Sequence, residues 1–379
     1  MGEAAPPAHP PIGLLLASPS GGGALTAMAR LAPLLGTAGV SVTVLSDQDA
    51  SRFHFTPAAQ IKTVALPDSR VGSLERISSA ILGLPRVLQS IRAIRREIRR
   101  RPDFVLLPFL TGTALVTLAA TLGLPNRVIV CERNDPSRQR HGWHVEILKR
   151  LLYPRSSAIT VNAPGHAARE HLVRVSRGRP VHFVPNPRPR GMIPADVRSS
   201  RVILNVGRLV AQKRHATLVE AFAQIHAYIP DWTLRIVGDG PLRQPLEQLI
   251  ERYGLGDRIE LIRRLEDLKQ QYAEAGLFVL ASDYEGTSNA LLEAASAGLP
   301  CIVSEETAPP NSNDILVSAT AGSVGALAQR MLAACTNDDR REELGQAAHR
   351  WVQQISDEDV VAEWVSVIQS ASAPRGRTA

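Results

Sequence analysis

The stretch that decides the fold is LFVLASDYEGTSNALLEAASAGLPCIVS, residues 277–304. Its apolar start predicts a buried strand that ends near Ser282, and a polar loop follows as far as Gly286. A helix is expected to begin near Thr287 or Ser288, and a Gly-Leu-Pro turn then leads into a second apolar strand. Strand, helix and strand in this order predict a βαβ unit of a parallel sheet.

The same alternation of short apolar segments and longer helical ones continues through both halves of the chain. It predicts an α/β fold with two Rossmann-like, doubly wound parallel-sheet domains. Proline and basic residues interrupt the pattern between Pro185 and Arg201, so we place the linker there. The predicted domains are residues 1–188 and 189–355, with a terminal helix and tail at 356–379. The predicted strands are 12–17, 41–45, 61–66, 104–107, 127–131, 158–162, 181–184, 202–206, 233–237, 258–262, 277–281 and 301–304.

The composition is that of a folded protein. Of 379 residues, 44% are apolar and 21% are charged, which disfavours a disordered chain. The apolar runs are shorter than the ~20 residues that a membrane span needs, and the N-terminus lacks the basic start of a secretory signal. The three cysteines contain no CxxC pair, which disfavours a disulfide framework and a structural zinc site. We therefore expect a cytoplasmic protein, with peripheral attachment to the inner face of the cell membrane left open.

Charge is divided unevenly along the chain. Residues 1–190 carry 25 Lys and Arg against 11 Asp and Glu, whereas residues 191–379 carry 18 against 25, so the halves have net charges of +14 and −7. A basic domain attracts phosphorylated substrates, anionic lipid or nucleic acid. Only 4% of residues are aromatic, which provides few platforms for base stacking and disfavours nucleic acid.

The most basic stretch is residues 86–101, RVLQSIRAIRREIRRR. Its apolar residues recur at helical spacing while arginines occupy most other positions, which predicts an amphipathic helix. One interpretation is a helix packed on a sheet with a solvated outer face. The other is that the basic face also touches an anionic membrane.

Two carboxylates mark a candidate site in the stretch quoted first. Glu285 lies on the loop after the strand, and Glu293 lies about one turn into the helix. Ligands of open parallel sheets bind outside the carboxyl ends of the strands, and helix N-termini suit phosphate. Such carboxylates suit the hydroxyls of a sugar and a ribose, although a loop acid and a solvated helix residue would give the same spacing.

Two cations follow another predicted strand in NVGRLVAQKRH, Asn205–His215. Arg208 offers a planar fork of donors and Lys213 a mobile charge, which together suit the developing charge of a diphosphate. Viewed alone, they could equally be two solvated loop cations.

Glycines follow two further strands. Gly238 lies in RIVGDGP, where a short G-x-G is often only a turn, and Gly21, Gly22 and Gly23 lie in PSGGG after the first strand. Asp47 ends the second strand, where a dinucleotide-binding domain carries its ribose acid, so a dehydrogenase is an alternative. Thr26 disfavours it, because the dinucleotide fingerprint has Gly or Ala there.

Three stretches are informative as a set, namely GRLVAQK, IVGDGP and YAEAGLFVLASDYEGTSNALLEAASAGLPCIVS. With them the chain is similar to glycosyltransferase family 4, a group of retaining enzymes with the GT-B fold. The similarity runs from PSGGGALTAMARLAPLLGTAGVSVTVLSD to the terminal HRWVQQISDEDVVAEW helices, and it includes an E-x7-E pattern. The resemblance implies two domains facing a central cleft that closes about a hinge.

The resemblance also implies roles for single residues. Arg208 and Lys213 would contact the donor diphosphate, Glu293 the nucleotide ribose and Glu285 the transferred sugar. Glu132 is a candidate for the residue that faces the sugar, since VIVCERNDP replaces the histidine of many relatives. Glu285, Arg208, Lys213 and Glu132 form the implied catalytic set. The other implied donor-binding residues are Gly21, Gly22, Gly23, Gly238, Gly286, Thr287, Ser288 and Asn289. The segment Glu305–Thr320 is shorter than in relatives and lacks their glycine-rich end.

The implied activity is retaining transfer of a hexose-type sugar from a nucleoside-diphosphate sugar, UDP or GDP above all, with no cofactor and no metal. The acceptor would be a glycan or a lipid-linked saccharide in the synthesis of cell-surface polysaccharide, lipopolysaccharide or glycolipid. Two alternatives are a non-catalytic sugar-nucleotide-binding protein and a sugar-nucleotide epimerase on the same fold.

Overall fold

The computed structural model describes residues 9–16, 22–46, 61–66, 80–265, 267–309, 312 and 317–372. The chain divides into two compact units. The first comprises the described parts of Met1–Pro187 together with those of Asp357–Ala379, and the second is Arg188–Ser356. The chain thus passes from one unit to the other inside the proline-rich segment, and the last helix joins the first unit.

The first unit is built on a parallel sheet of seven strands in the order β3-β2-β1-β4-β5-β6-β7. Its central strands are buried along their length, as the apolar runs predict. The direction of strand order reverses between β1 and β4, which makes the sheet doubly wound. The strands are β1 (Ile12–Leu16), β2 (Val42–Ser46), β3 (Ile61–Ala65), β4 (Val105–Phe109), β5 (Arg127–Glu132), β6 (Ala158–Val161) and β7 (Val181–Phe183).

Helices connect the strands of the first unit. The buried helix α3 packs against β4 and β5, and both α2 and α4 pack against α3, while α1 packs against α12. Right-handed crossovers place α1 on one face of the sheet and α2, α3 and α4 on the other. The helices are α1 (Gly23–Thr37), α2 (Ala80–Ile98), α3 (Thr111–Ala120), α4 (Trp143–Leu152), α5 (His166–Val175) and α12 (Asp357–Ser372).

An arginine directly after β5, Arg133, contacts the last helix of the first unit. The guanidinium of Arg133 lies between two aromatic rings, 4.8 Å from the centre of Phe109 and 5.0 Å from that of Trp364. Trp364 of α12 is fully buried, and the two rings stack with centres 6.4 Å apart. Burial lowers the pKa of Arg133, although the aromatic faces offset part of the cost of burying its charge.

The second unit contains a parallel sheet of six strands in the order β10-β9-β8-β11-β12-β13. Its strand order reverses between β8 and β11, so this sheet is also doubly wound. The strands are β8 (Val202–Val206), β9 (Thr233–Val237), β10 (Ile259–Ile262), β11 (Leu277–Leu280), β12 (Cys301–Ser304) and β13 (Val317–Ala319).

Two apolar cores sandwich this second sheet. One involves α6, α7 and α10, and the other involves α9 and α11. Ser288 caps α9 by accepting a hydrogen bond of 3.4 Å from the amide of Leu291, which fixes where the quoted βαβ unit turns from loop to helix. The helices are α6 (His215–Ile225), α7 (Arg243–Arg252), α8 (Lys269–Ala273), α9 (Asn289–Ser296), α10 (Val324–Cys335) and α11 (Asp338–Gln353).

The prediction of two doubly wound parallel-sheet domains is confirmed. All twelve predicted strands are present, with ends shifted by one or two residues, and β13 was not predicted. Among the apolar residues of the predicted basic helix, Leu88 is 42% exposed, near the middle of α2. Among the described residues, no helix is long and apolar enough to cross a bilayer.

Candidate functional site

The loops after β8 and β11, together with helix α9, carry most of the predicted site residues. β8 and β11 are neighbours at the point where strand order reverses, and such a point opens a crevice at the carboxyl edge of the sheet. Arg208 follows β8 with an exposed side chain, and Lys213 ends a short 3₁₀ helix before α6. The Asp283–Gly286 loop follows β11 and leads to α9. The topology therefore brings the predicted cations and acids to one edge.

Hydrogen bonds tie these two loops together. The amide of Asp283 donates to the carbonyl of Gln212 at 2.8 Å, and the side chain of Gln212 donates to the carbonyl of Tyr284 at 2.6 Å. Arg214 adds an ion pair of 2.7 Å with Asp283. The loops therefore form one connected surface.

The central contact of this surface is an ion pair between Lys213 Nζ and Glu285 Oε1. The hydroxyl of Ser282 donates a hydrogen bond of 2.8 Å to the same carboxylate oxygen. The side chains of Lys213 and Glu285 are only 19% and 11% exposed, so solvent screens the pair weakly. The two residues assigned on sequence to the diphosphate and to the sugar are thus in direct contact.

The second predicted carboxylate, that of Glu293, is buried and accepts a hydrogen bond from a tyrosine. Glu293, in α9, is 9% exposed, and its Oε2 accepts a hydrogen bond of 2.7 Å from the hydroxyl of Tyr272. Tyr272 is fully buried beside Phe278 of β11. The interpretation of Glu293 as a solvated helix residue is therefore wrong. At the start of the same helix, Gly286 and Ser288 are buried, while Thr287 and Asn289 are half-buried.

A histidine lies under the loop after β8. His215 is 2% exposed, neither ring nitrogen has a hydrogen-bond partner among the described residues, and its Nε2 lies 3.8 Å from where a Cβ on Gly207 would be. Burial, together with the nearby charge of Lys213, lowers its pKa to about 4. The imidazole is therefore neutral at physiological pH.

At Gly238 and Gly240, after β9, the backbone of another loop leaves no room for a side chain. A Cβ on Gly238 would overlap the carbonyl oxygen of Gly207, and one on Gly240 would overlap that of Leu209. The loops after β8 and β9 therefore lie backbone against backbone. A role of Gly238 in donor binding stays a prediction.

The remaining predicted residues belong to the first unit. Gly21, like Asp47, lies outside the described residues, while Gly22 and Gly23 form the N-terminus of α1. Glu132 ends β5 and is 1% exposed. Thr111 donates hydrogen bonds of 2.9 and 3.1 Å to its carboxylate, and Tyr153 donates a further one.

The enclosure of Glu132 affects its neighbour. Burial and the negative charge of Glu132 raise the pKa of Tyr153 well above its usual value, so the phenol keeps its proton and remains a donor. These partners account for the buried carboxylate structurally. A role of Glu132 facing the sugar stays a prediction.

Sequence reasoning missed several residues of this edge. Tyr272, Gln212 and Asp283 act through contacts between distant segments, which no spacing signal marks. Ser282 acts locally, on Glu285 three residues further along the chain. His215 was inside the quoted NVGRLVAQKRH stretch, and its place at the start of a helix after Lys213 was the available signal.

Part of the chain matches a known family model. Residues 195–351 match the family model for glycosyl transferases group 1. An exopolysaccharide phosphotransferase of Streptomyces coelicolor is 28% identical over 262 residues, which are 67% of this chain and 27% of that protein.

Two further relatives act on lipid-linked saccharides, according to their names. The GalNAc-alpha-(1->4)-GalNAc-alpha-(1->3)-diNAcBac-PP-undecaprenol alpha-1,4-N-acetyl-D-galactosaminyltransferase of Campylobacter jejuni is 27% identical over 53% of this chain and 55% of that protein. The UDP-Gal:alpha-D-GlcNAc-diphosphoundecaprenol alpha-1,3-galactosyltransferase of Escherichia coli is 29% identical over 66% of this chain and 58% of that protein. The matched part of the chain spans between about a quarter and three fifths of these three relatives.

Solved structures share this fold. Sucrose-phosphate synthase from Thermosynechococcus elongatus superposes with a TM-score of 0.80 at 18% identity, over 95% of this chain and 98% of that one. A mutant of TarM from S. aureus, in complex with fondaparinux, alpha-GlcNAc-glycerol and UDP, has a TM-score of 0.77 at 10% identity over 95% and 99%. The chain therefore has the GT-B fold, and its residues 195–351 are similar to the glycosyl transferases group 1 family.

Proposed function

We propose that this protein is a retaining glycosyltransferase. It moves a hexose-type sugar from a nucleoside-diphosphate sugar, with UDP or GDP as the nucleotide, to a glycan or lipid-linked acceptor. The observation that carries the proposal is the ion pair of Lys213 with Glu285 at the reversal point of the second sheet, inside the segment that matches the family model.

Lys213 and Arg208 are assigned to the donor diphosphate. Lys213 is paired with Glu285, so its ammonium is already placed and its own burial cost is already offset. A diphosphate entering the crevice competes for this ammonium, while the exposed Arg208 offers a bidentate fork. Both cations then stabilise the negative charge that grows on the leaving diphosphate, without a metal ion.

Glu285 and Glu293 are assigned to the donor hydroxyls. Once Lys213 turns to phosphate, Glu285 keeps its hydrogen bond from Ser282 and has a free oxygen to accept from the transferred sugar. Glu293 is buried and is fixed by Tyr272, so it suits the two hydroxyls of a ribose.

In the proposed reaction, the acceptor hydroxyl attacks the anomeric carbon from the face that the diphosphate leaves. The bond from this carbon to the phosphate oxygen breaks as the bond to the acceptor oxygen forms, and the departing phosphate takes the acceptor's proton. The configuration is thereby retained. The protein contributes orientation and charge stabilisation.

The acceptor is proposed to bear phosphate. Residues 1–190 carry a net charge of +14, and two relatives name undecaprenol diphosphate in their acceptors. The exposed arginines of α2 and of the turn after it are also proposed to attract an anionic membrane, and they are Arg86, Arg92, Arg96, Arg99 and Arg100.

The experiment that tests the function is calorimetric titration of UDP, GDP, ADP and NAD against the wild type and Glu293→Ala. We expect one nucleoside diphosphate to bind and the substitution to weaken it by about tenfold or more. The sugar nucleotide of that base is then incubated with candidate acceptors, and NMR of the product reads the anomeric configuration. Inverted product would contradict the retaining mechanism.

The other outcomes identify the alternatives. Binding of NAD alone would support a dehydrogenase and overturn the proposal. Donor consumption without any acceptor would indicate an epimerase, and binding without turnover on any acceptor would indicate a sugar-nucleotide-binding protein.

A further inference from the structure

Helix α4 differs from an ordinary surface helix in which of its side chains are buried. Its lysine, Lys149, is fully buried, whereas Trp143 is 77% exposed. Lys149 forms an ion pair of 3.5 Å with Glu146, and its ammonium lies 5.8 Å from the centre of the Tyr153 ring. The helix therefore places a charge inside and its largest apolar side chain outside.

Four apolar side chains share this outer face, and we call them the α4 stripe: Trp143, Ile147, Leu148 and Leu151, which are 77%, 47%, 43% and 53% exposed. At ~100° per residue they cover an arc of about 140°. Val145 and Leu152 of the helix pack against the core. Burying each large apolar side chain is worth about 1.5–3 kcal/mol, so folding alone does not explain an exposed stripe.

The stripe concentrates the exposed apolar surface of the protein. Of the eleven large apolar side chains exposed among the described residues, four lie on this ten-residue helix. Leu88 of α2 and Leu122 at the end of α3 add 42% and 46% exposed side chains in the same helical layer. Contiguous apolar patches of this kind mark interaction sites.

Positive charge surrounds the stripe. Arg140 precedes the helix, Arg150 lies on it and Arg155 follows it, and all three are exposed. Between residues 136 and 169 the sequence has one acidic residue, Glu146, which pairs with Lys149. The exposed arginines of α2 lie in the same layer, because α2 and α4 both pack against α3.

We propose that the α4 stripe inserts into the interface of a membrane with anionic headgroups. A tryptophan at the edge of an apolar face, flanked by arginines, is the composition that suits the headgroup boundary. A second copy of the chain would bring the same basic surface against itself, and like charges would oppose that pairing. The lipid surface is therefore the partner whose chemistry matches both the apolar and the charged residues.

The stripe begins towards the carboxyl edge of the first sheet. α4 follows β5 and leads back to the start of β6, so Trp143 begins the helix towards the carboxyl edge where β5 ends. Ligands of such sheets bind at that edge. A membrane docked on α4 would present a lipid-linked molecule at the same edge.

Trp143 provides a direct readout. The other three tryptophans, Trp232, Trp351 and Trp364, are at most 8% exposed. Vesicles of phosphatidylcholine with about 30% phosphatidylglycerol should therefore shift the emission to the blue through Trp143 alone, and lipids with brominated acyl chains should quench it. Trp143→Phe should still sediment with these vesicles while losing the shift.

Sedimentation with the same vesicles tests the stripe as a whole. The triple variant Trp143→Ala, Ile147→Gln, Leu151→Gln should bind at least about tenfold more weakly, because the inserted apolar area is lost. The matched control replaces three exposed apolar residues of the second unit, Ile193→Gln, Tyr228→Ala and Tyr253→Ala, and should bind as the wild type does.

Two results would overturn this proposal. One is vesicle binding that is equal in the triple variant and the wild type, which would leave the basic face of α2 as the whole attraction. The other is a concentration-dependent dimer in sedimentation velocity that the triple variant abolishes, which would assign the stripe to a second copy. Calorimetric titration with UDP or GDP monitors the donor site separately, so failure of the glycosyltransferase proposal would be distinguishable.

Discussion

The hydroxyl of Tyr272 donates a hydrogen bond of 2.7 Å to Oε2 of Glu293. Tyr272 belongs to α8 and Glu293 to α9, and both side chains are buried. The tyrosine thereby orients a carboxylate that has few other rotamers available in a packed interior. In the proposed enzyme this contact fixes the ribose-binding group, although Tyr272 itself is a positioning residue.

We therefore expect Tyr272→Phe to weaken binding of the nucleoside diphosphate by about tenfold, which corresponds to about 1.4 kcal/mol. The ring remains packed beside Phe278, so the fold is kept, and a hydrogen bond to a charged group is lost. Calorimetry measures the affinity. Tyr253→Phe, at a residue 46% exposed, is the matched control and should bind as the wild type does. Unchanged affinity in Tyr272→Phe would contradict the positioning role.

A second prediction concerns the backbone contact of Gly238 with Gly207. In Gly238→Ala the new methyl group would overlap the carbonyl oxygen of Gly207, so the loop after β8 has to move. We expect a loss of about 2–4 kcal/mol in unfolding free energy and weaker donor binding. Gly256→Ala is the control, since nothing lies within 4 Å of its added Cβ, and it should change stability by less than about 0.5 kcal/mol. Equal urea midpoints for the two variants would contradict this prediction.

Much of the fold and the outline of the site could be predicted because local patterns determine them. Twelve apolar runs become strands, and the Ser288 cap begins α9 where the polar loop ends. The carboxyl edge follows from strand order in any such sheet, so Lys213 and Glu285 could be placed on one edge before their contact was seen. The short strand β13 was missed because the segment before it has no clear apolar periodicity.

Contacts between distant residues could not be predicted. Tyr272 reaches Glu293 across 21 residues of chain, and no local rule selects that partner. The burial of Lys149 and the exposure of Trp143 reverse what periodicity predicts for a surface helix. The tertiary fold decides which face of an amphipathic segment is covered, and at α4 that choice opposes the hydrophobic pattern.

A third prediction concerns acid stability. Burial and Lys213 lower the pKa of His215 to about 4, whereas an unfolded histidine titrates near 6.5, so below that pH the unfolded chain binds more protons. The stability that the neutral His215 contributes is therefore fully present above about pH 6.5, and it is lost as the pH falls towards 4. Between pH 7.5 and pH 5 this histidine should contribute about 2 kcal/mol of that loss.

The variant His215→Leu should remove this part of the acid dependence, because both ring nitrogens already lack partners in the part of the chain that the structure describes. Urea denaturation at the two pH values measures it through the difference in midpoints. His226→Leu, at the end of the same helix, is the control and should keep the dependence of the wild type. An undiminished acid dependence in His215→Leu would show that the imidazole is not the group responsible.

The last prediction concerns the charge at the reaction centre. If Lys213 stabilises the leaving diphosphate, Lys213→Met should lower turnover by about 100-fold or more, as loss of one transition-state donor does. Lys269→Met, at an exposed lysine of the same unit, is the matched control and should keep full activity. Transfer of labelled sugar at saturating donor measures turnover and separates this effect from weaker binding.

Glu285 and a chelator complete that test. The Lys213–Glu285 pair offsets two partly buried charges, so Glu285→Gln leaves the lysine without its partner and should tighten binding of the bare nucleoside diphosphate while lowering turnover. If the ion pair were merely structural, Glu285→Gln would instead weaken binding of the nucleoside diphosphate and also lower turnover.

EDTA should leave wild-type activity unchanged, because two protein cations carry the charge of the leaving group. If EDTA abolishes activity and a divalent cation restores it, Lys213 and Arg208 do not replace a metal, and the proposed charge stabilisation is wrong.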